Sequence, residues 1–244
     1  RPAFGVRLRD RLELLKAADA AARLDGRIVD SAASLAIVEA EQLFVSSDGA
    51  RTEQHWSLLT PHVQATATID GVTQTRSAAG QYNGFCQQGG LEVLDRAHFS
   101  GEGPRVAREA IELAMAPSCP SGEMGLLLMP DQMMLQIHES IGHPLELDRI
   151  LGDERNYAGT SFVTPEMFGS YQYGSELLNV TFDPTVPGQL ASYGFDDDGS
   201  PAERQHLIEN GILVRGLGGA VSQQRSGLPG VANSRAQTWN RPPI

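Results

Sequence analysis

The residues with the clearest chemical potential lie in the segment QIHESIGHPLELD, positions 136–148. It contains two histidines, His138 and His143, and Glu139 directly follows the first. Imidazole nitrogens bind zinc readily, and a neighbouring carboxylate can accept and return a proton during hydrolysis. In the usual zinc helix, H-E-x-x-H, the histidines are four residues apart and share one face. Here the spacing is five residues, which places the two side chains about 140° apart on a regular helix.

The residues that flank His143 predict an irregular helix at this point. Gly142 precedes it and Pro144 follows it. Glycine relaxes the backbone, and proline removes a donor and disfavours helical geometry in the residue before it. A single wide turn with i→i+5 bonding would return positions 138 and 143 to one side, and such turns occur mostly at functional sites. We therefore predict that the motif lies on a kinked or widened helix. The alternative is that both histidines are ordinary polar residues at a helix end.

The histidine pair alone does not complete a metal site. Catalytic zinc sites use three protein ligands and leave one position for water. Carboxylates follow the motif closely, and any one of them is a candidate third ligand: Glu146, Asp148, Asp153 and Glu154. The alternative interpretation of this acidic run is a solvated surface.

Composition excludes some classes of function. The chain has 244 residues, 41% of them hydrophobic and 20% charged, with a net charge of −11. Such acidity disfavours binding to nucleic acid. The longest apolar stretch, Met124–Pro130, is too short to span a bilayer, so we expect no membrane association. Cys86 and Cys119 form no C-x-x-C motif, and we expect two reduced thiols in a cytoplasmic protein.

Hydrophobic patterns predict an α+β fold of mainly antiparallel sheets with a few helices. Helical spacing indicates helices over 7–24 and 104–116, and alternation indicates antiparallel sheet over 28–80, including a hairpin at Asp70-Gly71. A second hairpin is predicted at Asn210-Gly211. Met124–Pro130 is predicted to be a short buried strand, and further strand-like runs cover 177–185 and 190–201.

Two other polar features have ordinary interpretations. Asp196, Asp197 and Asp198 precede Gly199, but their spacing does not match a calcium loop, and a polar turn between strands is favoured. His206 lies in a strand-like run, where we expect a structural position.

Three long segments carry a resemblance to a known family. They are "GLLLMPDQMMLQIHESIGHPLELDRIL", "FDPTVPGQLASYGFDDDGSPAERQHLIENGILVRGL" and "SGLPGVANSRAQTWNRPPI". Together they resemble the TldD/PmbA family of zinc metalloproteases, peptidase family U62, from about residue 105 to 244. Residues 28–80 resemble the central domain of that family more loosely. The PmbA (TldE) branch lacks the histidine motif, so its presence here indicates the TldD-like branch.

The resemblance implies a ligand set and a catalytic role. It implies that His138 and His143 bind zinc and that Glu139 is the general acid/base acting on a water bound to the metal. It also implies a third ligand, a cysteine near the family's C-terminus. Neither Cys86 nor Cys119 matches that position, since both precede the motif.

The resemblance also implies a division of the chain. We expect residues 1–24 to be the end of an N-terminal domain, 25–117 a central sheet-rich domain, and 118–244 an incomplete C-terminal domain with the metal motif. The chain is then expected to be an internal piece of a longer protein, or a truncated homologue, that binds zinc weakly by itself.

The leading hypothesis is therefore a zinc-dependent peptidase of the TldD type that cleaves peptides or unfolded segments. The resemblance implies a dimer with a TldE/PmbA-like or identical subunit. The alternative is a non-catalytic fragment or homologue that binds peptide or such a partner. A role in DNA topology gains no support from the acidic charge.

Overall fold

The computed structural model describes residues 5–47, 49–78, 85–236 and 240–241. The chain forms two compact units. The first comprises the described residues of Arg1–Ala40, His55–Asp131 and Gly188–Leu190, and the second those of Glu41–Gln54, Gln132–Pro187 and Ala191–Ile244. The expected α+β class with antiparallel sheets is confirmed. The three-part domain division at residues 24 and 117 stays a prediction.

A four-stranded sheet lies mainly in the first unit, and the end of its first strand and the start of its second belong to the second unit. Its strands are β1 (Ile28–Val45), β2 (Arg51–Ile69), β3 (Val72–Ser77) and β4 (Gln87–Gln88), and β2 pairs antiparallel with both β3 and β4. The predicted hairpin between β2 and β3 is confirmed. Asp70 and Gly71 both have positive φ, 50° and 83°, as a type I′ turn requires.

Three helices accompany this sheet. They are α1 (Leu8–Ala22), α2 (Glu92–Arg96) and α3 (Phe99–Met115). Helices α1 and α3 approach closely at Gly103, because a Cβ there would lie 2.9 Å from the carbonyl oxygen of Ala18. Helix α3 begins before the predicted residue 104, since Phe99 is buried in the core and extends the helix toward its N-terminus. Pro104 consequently lies inside the helix.

The predicted buried strand at Met124–Pro130 is wrong. Residues 124–129 have no regular structure, and Leu126 and Leu127 are 79% and 87% exposed. Within the described residues no strand pairs with this segment. An apolar run becomes a strand only where another strand satisfies its backbone hydrogen bonds. Its composition alone could not show whether such a neighbour exists.

The second unit contains a three-stranded antiparallel sheet. Its strands are β5 (Val180–Phe182), β6 (Gln205–Glu209) and β7 (Ile212–Leu213). The predicted hairpin at Asn210-Gly211 is confirmed, with φ values of 49° and 80°. The strand-like interpretation of 190–201 is wrong, because this stretch is mostly turns with one bridge between Phe195 and Pro201. Its repeated Asp and Gly residues favour turns over extended strand.

The remaining helices of the second unit are short. Helix α4 (Pro130–Ile137) leads into the histidine motif, and α5 (Leu147–Leu151) and α6 (Ala220–Ser226) follow later in the chain. Helix α6 was not predicted from sequence. The core that supports the motif consists of Ile141, Leu145, Val163, Leu207, Ile208, Leu213 and Val231. In the described part of the chain, no helix is both long and apolar enough to span a bilayer.

Candidate metal centre and its cavity

The histidine motif lies on a widened helical turn. Helix α4 continues directly into a π-helical turn, His138–Gly142, which is followed by a 3-10 turn, His143–Leu145. The backbone N–H of His143 donates to the carbonyl of His138, an i→i+5 hydrogen bond. The predicted widening is therefore confirmed. The imidazole rings of His138 and His143 have centroids 4.2 Å apart, so the wide turn places them side by side despite the five-residue spacing.

Proline explains part of this geometry. Pro144 has no N–H, so it cannot donate to the carbonyl of Ser140, its i−4 residue. That carbonyl instead accepts a hydrogen bond from the Tyr173 hydroxyl at 2.6 Å. Burial raises the pKa of Tyr173 to about 12, which keeps the hydroxyl protonated as a donor. Ser161 Oγ in turn donates to the carbonyl of Pro144 at 2.7 Å. The turn is thus held by side chains from outside the motif.

Gly142 contributes less than its position suggested. Its φ and ψ are −54° and −70°, within the right-handed helical region. A Cβ at this position would meet only the carbonyl oxygen of Ile137, at 3.8 Å. Neither backbone conformation nor space requires glycine here. The expectation that Gly142 is needed to relax the helix is therefore not supported by the local geometry.

The side chains of the motif form a cluster of possible metal ligands. Ligand atoms of His138, Glu139 and His143 all lie within 4.8 Å of one another, and this is the one such trio in the part of the chain that the structure describes. Imidazole nitrogen and carboxylate oxygen are both zinc ligands. The side chains of His138 and Glu139 are 55% and 62% exposed, so small rotations can adjust them. The donor set therefore fits a zinc ion.

A second carboxylate orients His143. Glu146 Oε1 lies 2.9 Å from His143 Nδ1, and Glu146 Oε2 accepts a hydrogen bond from Arg149 Nε at 2.7 Å. Arg149 Nη2 also lies 3.2 Å from His143 Nδ1. The carboxylate contact is the shorter, and two facing acceptors at 2.9 Å would repel, so we assign the ring proton to Nδ1. This tautomer leaves Nε2 of His143 with its lone pair available for a metal.

Arg149 is fixed in turn by the backbone. Its side chain is only 11% exposed, and Nη1 donates to the carbonyl of Ala158. Asp148 Oδ1 accepts a hydrogen bond from the Arg149 backbone N–H at 2.8 Å. Burial raises the pKa of Asp148, and the charge of Glu146 acts in the same direction. Glu146 and Asp148, the first two carboxylates after the motif, thus both accept hydrogen bonds within the protein.

A cavity of about 690 Å³ opens beside the cluster. Its walls include Glu139, His143, Glu146, Glu154, Asn233 and Arg235. This volume is in the range of pockets that hold small ligands or short peptide segments. Glu139, His143 and the cationic side chain of Arg235 therefore border one space.

The other residues singled out from sequence lie in different surroundings. Asp153 forms an ion pair with Arg225 at 2.5 Å and does not line this cavity. His206 is on β6, with its Nδ1 3.9 Å from Glu209. Cys86 and Cys119 are free thiols, and neither joins the metal-ligand trio. Asp196 is in a turn, where it accepts hydrogen bonds from backbone N–H groups, as a polar turn residue does.

Sequence analysis gave Glu146 as a candidate third ligand and did not foresee its contact with His143. Its spacing, three residues after His143, was a usable signal for that contact, because side chains three apart on helical turns can meet. Tyr173 and Arg235 gave no such signal, since they approach the motif or its cavity from distant parts of the chain.

Comparison with protein families places both halves of the chain. Residues 1–116 match the PmbA/TldA metallopeptidase central domain, and residues 121–244 match the PmbA/TldA metallopeptidase C-terminal domain. The chain belongs to the PmbA/TldD family.

Curated relatives carry metalloprotease names. A metalloprotease of Methanothermobacter thermautotrophicus is 28% identical over 99% of this chain and 50% of its own length. A zinc metalloprotease TldD homolog of Saccharolobus solfataricus is 28% identical over 49% of this chain and 25% of its own length. The chain spans about half the length of the first of these relatives.

Solved structures share the fold. A Thermotoga maritima protein superimposes with a TM-score of 0.73 at 19% identity, over 99% of this chain and 52% of the other. TldE from Thermococcus kodakarensis gives a TM-score of 0.62 at 14% identity, over 100% of this chain and 52% of the other. At these identities the likeness concerns the fold alone.

Proposed function

We propose that the protein is a zinc-dependent peptidase of the TldD type, which cleaves peptides or unfolded segments. The observation that carries this proposal is the side-by-side placement of the His138 and His143 rings on a π-helical turn, with Glu139 in the same cluster. The metalloprotease names of the relatives, one of them a zinc enzyme, support the same class.

In this proposal His138 and His143 hold the metal. A bound zinc ion supplies Lewis acidity, which polarises a carbonyl and lowers the pKa of water. His143 would offer Nε2 to the metal, because Glu146 holds the proton on Nδ1. Arg149 keeps Glu146 in place through its Nε hydrogen bond of 2.7 Å. Glu146 is then a positioning residue, and our candidate for the third ligand is the cysteine implied by the family resemblance.

Glu139 moves the proton. Its carboxylate is exposed and borders the cavity, where it can accept a proton from the attacking water. The same carboxyl group returns that proton to the leaving amine as the peptide bond breaks. Glu139 Oε1 lies 3.8 Å from His138 Nε2, so it remains next to the metal-binding atoms without being tied to a cation by a short hydrogen bond.

We also propose that the protein pairs with a partner subunit and works in a reducing compartment. The fold likeness to TldE supports pairing with a TldE/PmbA-like or identical subunit. Both cysteines are free thiols, which suits the cytoplasm.

Metal removal and restoration test the function. The whole protein is stripped with a chelator, and cleavage of a mixture of unfolded peptides is followed by mass spectrometry. We expect cleavage to stop and to return when zinc is added back in stoichiometric amount. Undiminished cleavage after complete zinc removal would contradict a metallopeptidase. Peptide binding without cleavage at any zinc level would favour the alternative, a non-catalytic binding protein.

A further inference from the structure

Arg235 is a cationic side chain in the cavity wall. It lines the same cavity as Glu139 and His143. Within the described residues no carboxylate forms an ion pair with its guanidinium, whose one ring contact is with Tyr193, at 5.1 Å from the centroid. In a chain with a net charge of −11, an arginine without an ion pair to any described carboxylate is available for an external anion.

The backbone around Arg235 is fixed on both sides. The Ser234 N–H donates to Asp196 Oδ2 at 3.2 Å, and the Ser234 carbonyl accepts from the Asp197 N–H at 2.9 Å. The Ala236 N–H donates to Asp197 Oδ2 at 2.6 Å. The paired aspartates thus hold the residues immediately before and after Arg235. This explains why Asp196, a buried acid, lies in this turn.

Tyr193 restrains the same segment in two ways. Its hydroxyl donates to the carbonyl of Ala232, and its ring lies against the Arg235 guanidinium. An arginine stacked on an aromatic ring keeps its planar edge free for hydrogen bonding. Asn233, in the same wall, has a covered Oδ1 without a hydrogen-bond partner among the described residues. Such an atom can accept a hydrogen bond from a ligand or water in the cavity.

Two of the four carboxylates that line the cavity, Glu146 and Asp148, have hydrogen-bond partners other than Arg235. Glu146 binds His143 and Arg149, and Asp148 accepts the Arg149 backbone N–H. Neither is in ion-pair contact with Arg235. The planar guanidinium matches a carboxylate through two parallel hydrogen bonds.

We propose that Arg235 binds a carboxylate of the peptide substrate in this cavity and so selects peptides that present a carboxylate near the cleaved bond. The proposal rests on the proposed peptidase function. Tyr193 acts as a positioning residue for Arg235. The carboxylate can come from the peptide's C-terminus or from an Asp or Glu side chain, and the test separates these two sources.

Peptide binding without cleavage tests the proposal. Zinc-loaded whole protein carrying Glu139→Gln is titrated with four fluorescent peptides of one core sequence. One has a free C-terminal carboxylate and no acidic side chain, and the second is its C-terminal amide. The third and fourth are amides with an internal Glu or an internal Gln. We expect a carboxylate from at least one source to tighten binding about 10-fold over its neutral match, the gain of a hydrogen bond to a charged group.

Substitution of Arg235 must remove this preference. In the Arg235→Gln variant the carboxylate and neutral peptides should bind alike, and Arg235→Lys should retain part of the preference at low salt. Arg204→Gln is the matched control, because Arg204 pairs with Asp183 at 3.6 Å and does not line the cavity. Thermal unfolding checks that each variant folds. If Arg235→Gln does not fold, Arg235→Lys is the variant whose carboxylate preference is compared with that of the parent protein.

The outcomes separate this proposal from the proposed function. Equal binding of all four peptides by the parent protein, or an undiminished carboxylate preference in Arg235→Gln, overturns the role of Arg235. If the wild-type protein cleaves peptides in either case, the peptidase function stands without this specificity. An Arg235-dependent preference in a protein that cleaves nothing would support the carboxylate site and contradict the peptidase.

Discussion

The Tyr173 hydroxyl donates to the Ser140 carbonyl at 2.6 Å, and this bond joins a residue outside the histidine motif to its π-helical turn. Ser140 has lost its normal helical donor because Pro144 carries no N–H. The two facts belong together, since proline frees a carbonyl and tyrosine satisfies it. The wide turn that brings His138 and His143 together therefore depends on the hydrogen bond from Tyr173.

Loss of this hydroxyl should weaken the turn. We expect Tyr173→Phe to reduce the free energy of unfolding by about 1 kcal/mol, the net value of one hydrogen bond, and to weaken zinc binding. Thermal unfolding and chelator competition measure the two effects. Tyr171→Phe is the matched control, because the Tyr171 ring contacts the Tyr173 ring, with 5.8 Å between the ring centroids. Equal effects of the two substitutions would show that the Ser140 contact has no special role.

Glu146 should act on zinc affinity as a positioning residue. Removing an outer carboxylate that orients a metal-binding histidine typically costs about 10- to 100-fold in affinity, and we expect this loss for Glu146→Ala. Glu154→Ala removes an equal charge from the same cavity wall and should change the affinity little. Complete loss of zinc in Glu146→Ala, with one coordinating oxygen missing by spectroscopy, would make Glu146 a ligand instead.

Gly142 should tolerate a side chain. Its helical dihedrals and open surroundings predict that Gly142→Ala leaves the unfolding free energy unchanged or raises it by about 0.4–1 kcal/mol. Zinc binding should be retained. Gly211→Ala is the contrasting variant, because φ is +80° and a Cβ would lie 2.6 Å from the carbonyl oxygen of Gly174, and it should be strongly destabilising. Loss of zinc in a folded Gly142→Ala protein would restore a specific need for glycine.

The ion pair between Asp153 and Arg225 predicts a pH dependence of stability. The hydrogen bond from Arg225 lowers the pKa of Asp153 in the folded protein. A carboxyl whose folded pKa is depressed stabilises the fold above its unfolded pKa, and this contribution disappears as pH falls through the folded value. We expect Asp153→Asn to lower the melting temperature slightly at pH 7. Below the folded pKa of Asp153 the substitution should not change the melting temperature. A pH-independent difference would contradict this assignment.

Local chemistry made parts of the fold predictable. Asp70-Gly71 and Asn210-Gly211 specify tight turns by their own backbone preferences, and both hairpins formed where expected. The wide turn was also predictable, since proline acts on the backbone within one helical turn. Met124–Pro130 was not, because a strand needs hydrogen-bond partners that its own residues do not reveal.

The site, too, has a part that local sequence predicts and a part that depends on distant residues. His138, Glu139 and His143 are close in sequence, and their clustering follows from the local backbone. Tyr173 meets Ser140 across 33 residues, and Asp197 meets Ala236 across 39 residues. Such contacts depend on the tertiary fold, which periodicity and spacing do not encode. The position of Arg235 therefore could not be predicted from sequence, because it depends on the contacts that its neighbours make with Asp196 and Asp197.

The most direct test of the proposed site measures zinc content and peptide cleavage together in Glu139→Gln and His143→Ala forms of the whole protein. The substitution Glu139→Gln keeps the size of the side chain and removes its ability to accept a proton. We predict full zinc content and loss of at least about 100-fold in cleavage rate, the usual contribution of a general acid/base, whereas His143→Ala should lose zinc and cleavage together. A Glu139→Gln protein that still cleaves at the wild-type rate, or a His143→Ala protein that retains zinc with unchanged affinity, would contradict the roles assigned here.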